Sequence, residues 1–413
     1  MKKVENILEN LSVVFCAGFS NMACALGTLL RRKGFHIAAM ADLLTALICA
    51  SEKSANIARA CKQEEALFQL LIEEKKGPEK NKKFVQDFKT LADVIIQEVI
   101  KHDIGKKFPE LAPHIAGEES NHFENGLGET IIVKICQTEQ ATAELISEVL
   151  DGNLKAAGLL AKCIHEDVHI DSPDLGKVNI DIPMDSIGIW VDPIDSTNQY
   201  IKGQLEEKFK SGIHPHGLKS AAVLIGVFDR NSGQPIMGVI NVPFDDVDSN
   251  LRWQGKYYWG ISHNDLNICS IPKQFPEHLN QMSVVMSLSE KDEIKKALAP
   301  LCGERMYFAS GAGYKILCTI LGLADAYVVT ADTTFKWDTC APHAILKSLG
   351  GGIVNLAQAL AEAKAKGPGA TPELQYKMPN EGSNETEKWA NTGGLVAYRS
   401  QKHLDNIINV LLA

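Results

Sequence analysis

Two carboxylates three residues apart, Asp192 and Asp195, flank a proline in the run Ile189-Trp190-Val191-Asp192-Pro193-Ile194-Asp195-Ser196-Thr197. Pro193 fixes its own backbone and biases Asp192 away from helix, so the apolar strand is expected to end at Asp192 and bend through Pro193-Ile194. Ser196 and Thr197 are both favourable N-cap types, which predicts a helix or helical turn starting there. Two carboxylates then converge at a strand end beside free backbone amides. Hard cations such as magnesium take oxygen ligands of this kind, commonly with phosphate oxygens completing the shell. Free amides at a helix start accept the phosphate itself. The stretch reads as a place where metal and phosphate meet. Asp, Pro and Ser are also the ordinary residues of a solvated turn, and taken alone the run supports both readings equally.

Other carboxylates separate the two. Glu118-Glu119 follow the apolar stub Ile115-Ala116, Asp338 follows Trp337 where a strand gives way to a helix, and Asp93 falls early in a third helix. Asp93 is near the positive end of that helix if its first turn starts late. Each acid alone fits a helix cap or a surface charge better than a ligand. Four acid clusters at or near boundaries between elements form a more specific pattern, because strand ends gather at one edge of an α/β sheet, where ligands bind.

The elements that must position these groups follow from periodicity. Leu44, Ile48, Ile57, Ala60, Leu67 and Leu71 recur at helical spacing and predict helix over 41–75. The charged run 73–83 reads as a solvated loop. A second helix covers 86–100, with Ile95, Ile96, Val99 and Ile100 near one face, and helical segments fill 138–165. From 186 the texture changes to strands at 186–191, 220–230, 235–243 and 256–262, with Asn231-Ser232-Gly233 turning between the second and third. Then come a strand at 283–287, helices at 290–301 and 311–322, a strand at 324–329 and a helix at 338–352 closed by glycines. Residues 357–373 read as helix then Gly/Pro loop, and a last strand and helix finish the chain. This order predicts a layered α/β (α+β) sandwich, with no internal repeat and no Gly-rich dinucleotide loop.

The 413 residues suffice for two ordinary domains or one large two-part enzyme. A net charge of −9 argues against nucleic acid as a partner. Ten cysteines without any Cys-x-x-Cys fit reduced thiols in a cytoplasmic protein. Residues 11–30 carry no charge and precede Arg31-Arg32-Lys33. A signal anchor is one reading, but Ser, Asn, Gly and Thr dilute the hydropathy. The favoured reading is an alternative start at Met40, with 1–39 an extension of unknown status and no stable membrane association.

With DPIDST, the upstream GEES (117–120) and the downstream Trp337-Asp338 together, the chain resembles the lithium-sensitive, magnesium-dependent phosphomonoesterases. That superfamily includes inositol monophosphatase, fructose bisphosphatase and the 3′(2′),5′-bisphosphate nucleotidases. Longer stretches at 51–76, 87–100, 188–203, 311–318 and 333–354 resemble more narrowly the inositol polyphosphate 1-phosphatases, over roughly 40–412, with 203–216 and 244–282 matching least.

The resemblance implies a fructose-bisphosphatase-like fold over 40–413, with an α+β half to about 245 and an α/β half from about 280. It implies two or three magnesium ions held by Asp93, Glu118, Asp192, Asp195, Asp338 and the carbonyl of Ile194, with lithium as inhibitor. Glu118 and Thr197 would orient and deprotonate the attacking water, and Glu119 would support from behind. Asp195, Ser196, Thr197, Ser289, Lys291, Gly311, Ala312, Lys315 and Thr333 would meet the substrate, with Thr334 nearby. Lys291, in Glu290-Lys291-Asp292-Glu293, reads equally well as part of a solvated helix face. The implied reaction removes the 1-phosphate from inositol 1,4-bisphosphate and inositol 1,3,4-trisphosphate, in a monomer. A bisphosphate nucleotidase and a non-catalytic inositol-phosphate binder are the alternatives. A mere binder would favour Lys and Arg over carboxylates. Trp190 and Trp337 are expected to pack rather than stack on a ring.

Overall fold

The computed structural model describes residues 42–63, 68–77, 79–81, 86–170, 182–204, 211–272, 281–366, 372–377, 379 and 387–413. Residues 46–170 and 184–413 form one compact unit, which holds everything below except the first four residues of helix α1; residues 1–45 and 171–183 group separately. The extension 1–39, with its uncharged run and Cys16 and Cys24, lies outside the described residues. Among the described residues no helix is long and apolar enough to cross a membrane, and all eight cysteines are free thiols.

Helix α1 (42–63) and a 3-10 turn at Gln69–Leu71 lead into strand β1 (Ile72–Glu74), which pairs antiparallel with β2 (Phe88–Thr90) ahead of α2 (Leu91–Lys107). The helix expected over 41–75 is therefore shorter, and the one expected from 86 starts at Leu91. A tertiary strand pairing at Ile72–Glu74 overrides local helical spacing. Lys75 within the charged run departs from expectation, and so does Lys89 beyond it. Lys89 is fully buried and bonds the His122 carbonyl at 2.9 Å and Glu79 at 3.0 Å, while Lys75 is only 4% exposed. Partners distant in sequence replace the solvent that the run was expected to meet.

Next come β3 (Ile115–Gly117), the ribbon of β4 (His122–Glu124) and β5 (Thr130–Ile132), and helices α3 (Glu139–Ser147) and α4 (Leu154–His165). Strand β6 (Ile187–Asp195), helix α5 (Thr197–Lys202) and strands β7 (Ala222–Asp229), β8 (Pro235–Val247), β9 (Trp253–His263) and β10 (Leu266–Cys269) follow. They build a six-stranded sheet of order β10-β9-β8-β7-β6-β3, antiparallel except where β3 runs parallel to β6. The last part holds β11 (Val284–Met286), α6 (Asp292–Cys302), β12 (Met306–Phe308), α7 (Ala312–Ile320) and β13 (Ala326–Val329). After these come α8 (Lys336–Ser348), β14 (Gly352–Asn355), α9 (Leu356–Lys366), β15 (Leu395–Tyr398) and α10 (Gln401–Leu412). Their strands form a mixed sheet of order β12-β11-β13-β15-β14.

Strand alternation assigns each face of this second sheet to a different layer. Val285, Tyr327, Val329, Ile353, Leu395 and Ala397 join a core with α7, α8 and one face of the first sheet. Val284, Met286, Ala326, Val328, Val354 and Val396 pack instead with Leu298 of α6, Leu356 of α9 and Leu404 of α10. Helix and sheet layers thus alternate, as the sequence order predicts. Helix α8 is the layer between the sheets, and a row of glycines lets it lie directly on β7, β8 and β9. Gly226, Gly238 and Gly260 are register partners across the three strands. A Cβ at Gly226 or Gly238 would overlap the backbone of Ala341, and one at Gly260 would sit 2.9 Å from the Cα of Ile345.

Candidate active site

Residues three apart on a regular strand face opposite ways. On β6, however, Asp192 pairs with Leu224 and Asp195 with Ala222, so three steps on one strand match two on the other. The bulge this creates at Pro193-Ile194 returns both aspartates to a common face, and a bulge is where a strand tolerates the missing N–H of proline. The strand therefore continues to Asp195, beyond the end at Asp192 that the proline suggested. Asp192, Asp195 and Asp338 are all buried, and each offers an oxygen within 4.8 Å of the other two.

Asp338 enters from the first turn of α8, where its Oδ2 accepts the Phe335 N–H at 2.7 Å. Asp93 enters from the first turn of α2, where its Oδ2 accepts the Thr90 N–H at 2.7 Å and the Thr90 hydroxyl at 2.6 Å. Thr197 Oγ1 stands 3.3 Å from Asp93 Oδ1 and 3.0 Å from the Ile194 carbonyl oxygen, joining α2 to the bulge. Parallel pairing of β3 with β6 brings the Glu118 N–H to the Val191 carbonyl at 3.2 Å, one residue from Asp192. Gln97 of α2 clasps the backbone of Glu119, accepting its N–H at 2.9 Å and donating to its carbonyl. Lys75 Nζ lies 2.7 Å from Glu118 Oε1 and 2.6 Å from Glu119 Oε1.

Asp195 caps α7 as well: it accepts the N–H of Ala312 at 3.2 Å and of Tyr314 at 3.1 Å. Gly311, at φ +79°, has no room for a side chain, since a Cβ would meet Ser196 Oγ and come 2.8 Å from Asp195 Oδ2. Ser196 itself is left-handed at φ +73° and does not cap α5 through its side chain; its buried Oγ has no hydrogen-bond partner. Strain of this kind concentrates at functional sites. Lys315 is 3% exposed, donates to the Ala309 carbonyl at 3.3 Å and lies 5.2 Å from the Tyr327 ring centroid. Ser289 and Lys291 are exposed on the loop after β11, and Thr333 is half-buried on the segment between β13 and α8.

Burial dominates the electrostatics. It holds the carboxyls of Asp192 and Asp338 well above the ordinary range, and neighbouring Glu118 and Asp195 push the same way. Burial lifts Asp93 to about 7, against the Thr90 hydrogen bonds, and Glu119 to about 8, against Lys75. Asp195 rises only to about 6, because Lys315 and the α7 amides oppose the burial. Burial lowers Lys315 to about 8, with Asp195 resisting. Asp192 Oδ1 is buried without a donor. Converging carboxylates with an orphaned oxygen fit a divalent cation, and an all-oxygen donor set selects a hard one such as magnesium.

The model of the family described as "Inositol monophosphatase family" matches residues 114–403. The chain belongs to the inositol monophosphatase family. It is 51% identical over 387 residues to inositol polyphosphate 1-phosphatase of Mus musculus, across 90% of this chain and 98% of that protein. The Homo sapiens protein of the same name is 50% identical over 390 residues, with the same coverage. The 3′(2′),5′-bisphosphate nucleotidase 1 of Rattus norvegicus is 26% identical over 274 residues, across 65% of this chain and 72% of that protein. The inositol monophosphatase family match spans Glu118, Asp192, Asp195 and Asp338, while Asp93 lies upstream of it.

Sequence reasoning passed over Lys75 and Gln97. Lys75 had no signal, because its partners are 43 and 44 residues away. Gln97 had none either, since a lone amide on a helix reads as surface. The capping pattern Thr90-x-x-Asp93 was present and fixes the start of α2. Trp190 and Trp337 pack as expected, with ring centroids 6.0 Å apart, Trp337 stacking on Phe335 at 4.7 Å.

Proposed function

We propose that the chain is a magnesium-dependent phosphomonoesterase that removes the 1-phosphate from inositol 1,4-bisphosphate and inositol 1,3,4-trisphosphate. The observation that carries the chemistry is the bulge at Pro193-Ile194, which turns Asp192 and Asp195 to one face beside Asp338. The 51% identity to the mouse 1-phosphatase, against 26% to the rat nucleotidase, supports the substrate.

Asp93, Glu118, Asp192, Asp195, Asp338 and the Ile194 carbonyl would hold the ions. Bound magnesium supplies positive charge to the phosphate oxygens and the leaving oxygen, and eases ionisation of water. Thr197, fixed between Asp93 and Ile194, orients the attacking water together with Glu118, which takes its proton. Ser196 offers its unpartnered hydroxyl to the phosphate. Gly311 and Ala312 present backbone to the inositol, Lys315 brings positive charge to the same wall, and Ser289, Lys291 and Thr333 line the rim. With all six carboxyl groups (Glu119 included) ionised around bound cations, the buried ammonium groups of Lys75 and Lys315 would leave four negative charges. Two divalent ions would balance them, and a third would answer the charge of the arriving phosphate. Lithium would inhibit by taking the place of one magnesium. The reading further has a cytoplasmic monomer acting on a small soluble substrate, without nucleic acid or stable membrane association.

The test is phosphate release from a panel of inositol phosphates and 3′-phosphoadenosine 5′-phosphate, with and without magnesium and lithium. Magnesium-dependent release from the two inositol substrates is expected. Preferential turnover of the adenosine bisphosphate would establish the nucleotidase instead, and binding without release would establish a non-catalytic binder.

A further inference from the structure

Glu290 is a buried carboxylate that the chemistry above leaves without a role. It is 6% exposed and sits between Ser289 and Lys291, whose side chains face solvent. Its Oε1 accepts the Thr330 hydroxyl at 2.5 Å and the Lys291 N–H at 2.9 Å, and its Oε2 accepts the Thr330 N–H at 3.0 Å. Thr330 directly follows β13, on the segment that leads past Thr333 to Asp338. Strands β11 and β13 are adjacent and parallel, so the loops that leave their carboxyl ends share one edge of the sheet. The ladder between them ends at Val285–Tyr327. Beyond it the Glu290 contacts take over, and Lys295 Nζ fixes the other shoulder of the loop by donating to the Leu288 carbonyl at 2.9 Å.

Tyr327, which closes that ladder, feels the charge of both Glu290 and the acid cluster. Burial holds the Tyr327 hydroxyl un-ionised, with help from the negative charges of Asp338, Asp195 and Glu290. The same ring lies 5.2 Å from Lys315 Nζ. A carboxylate turned into the protein and saturated by three donors is placed to hold a loop, since a free one at the rim would repel a phosphate.

We propose that Glu290 is a positioning residue for recognition of the substrate's second phosphate, because it fixes the Ser289–Lys291 loop against the Thr330–Thr333 segment. The inference rests on the 1-phosphatase reading, in which a second phosphate stays on the product.

The test compares KM and kcat for inositol 1,4-bisphosphate with the Ki of inorganic phosphate, which fills only the scissile position. Glu290→Ala should raise KM about tenfold, with kcat and the phosphate Ki within about twofold of wild type. Glu290→Gln should recover most of the KM, since its amide oxygen accepts the Thr330 N–H and its NH2 donates to the hydroxyl, leaving only the Lys291 N–H without its acceptor. Thr330→Val, which keeps the N–H and loses only the hydroxyl, should give a smaller rise and serves where Glu290→Ala does not fold. An unmoved KM in the folded variants, or KM and phosphate Ki rising together with a fall in kcat, overturns the inference. Wild-type protein that releases nothing from inositol 1,4-bisphosphate overturns the substrate reading and this inference with it.

Discussion

Asp93 and Asp338 each stand at the third position of a helix, and each uses one oxygen to accept the N–H of the residue before that helix, Thr90 or Phe335, at 2.7 Å. The two helix starts then diverge. At α2 the other donors are hydroxyls: Thr90 bonds Asp93 Oδ2, and Thr197 reaches Oδ1. At α8 the preceding side chain is a phenyl ring stacked on Trp337, and Asp338 faces Asp192 and Asp195 instead. Burial raises both carboxyls, Asp93 to about 7 and Asp338 well above the ordinary range. Hydroxyl donors can satisfy a buried carboxylate, whereas carboxylates whose remaining oxygens face one another need a cation.

If that difference is real, loss of the acid should cost most at α8. Asp338→Asn is expected to lower kcat by at least about a thousandfold at saturating magnesium. Asp93→Asn, still able to accept the Thr90 N–H, is expected to lose about ten- to a hundredfold. The metal-free Asp338→Asn protein should also melt at a higher temperature than wild type, because one of three crowded acids is gone. Phosphate release and thermal melts check both, and equal losses at the two positions would break the comparison.

The seat of α8 offers a second contrast. Gly238 faces rigid backbone at Ala341, while Gly117, beside α2, faces mainly the side chain of Gln97 and the Val191 carbonyl. Gly238→Ala should destabilise by about 3 kcal/mol by lifting α8, and with it Asp338, off the sheet. Gly117→Ala should also destabilise, by pressing the Val191 carbonyl and displacing the Gln97 amide from Glu119, but by less, because every near atom at Gly238 is backbone. Denaturant unfolding with and without magnesium ranks the two.

The parts of this arrangement that the sequence showed are those fixed locally. Pro193 between two acids and the apolar strands each carry their geometry within a few residues, and the Thr90-x-x-Asp93 cap does so as well, although the helix was read from 86 without it. The layered fold was legible for the same reason, since element order limits how sheets and helices can stack. What escaped depends on partners far along the chain. Lys75 looked solvated because Glu118 and Glu119 come from another strand, and Ile72–Glu74 looked helical because Phe88–Thr90 was not visible as its partner. The shift of face at the Pro193-Ile194 bulge is likewise a register, and a register exists only once β7 is in place.

The raised carboxyls also set a pH dependence. Asp195, Asp93 and Glu119 titrate at about 6, 7 and 8 in the folded chain, above the ordinary value of about 4 that they regain on unfolding. Between about pH 4 and 8 the folded state therefore holds more protons, so its stability is greatest at the acid side and declines as pH rises through the folded values. The melting temperature of the metal-free protein should fall from pH 5 to pH 8. Saturating magnesium should flatten the slope, because the ion takes over the charge that protons otherwise neutralise. A metal-free protein more stable at pH 8 than at pH 5 would contradict the assignment of uncompensated acids.

The smallest effect isolates the hydroxyl that distinguishes α2 from α8. Thr90→Ala removes a cap acceptor for the Asp93 N–H and a donor to Asp93 Oδ2, and should cost about 1 kcal/mol in denaturant unfolding. Thr90→Ser keeps both interactions and should cost less than half as much. Because Asp93 would then keep Thr197 as its one hydroxyl donor and come closer to Asp338, the Thr90→Ala protein should also gain more stability from magnesium than wild type does. Equal losses in Thr90→Ser and Thr90→Ala would assign the effect to packing of the threonine methyl, and the contrast between the two helix starts would rest on Thr197 alone.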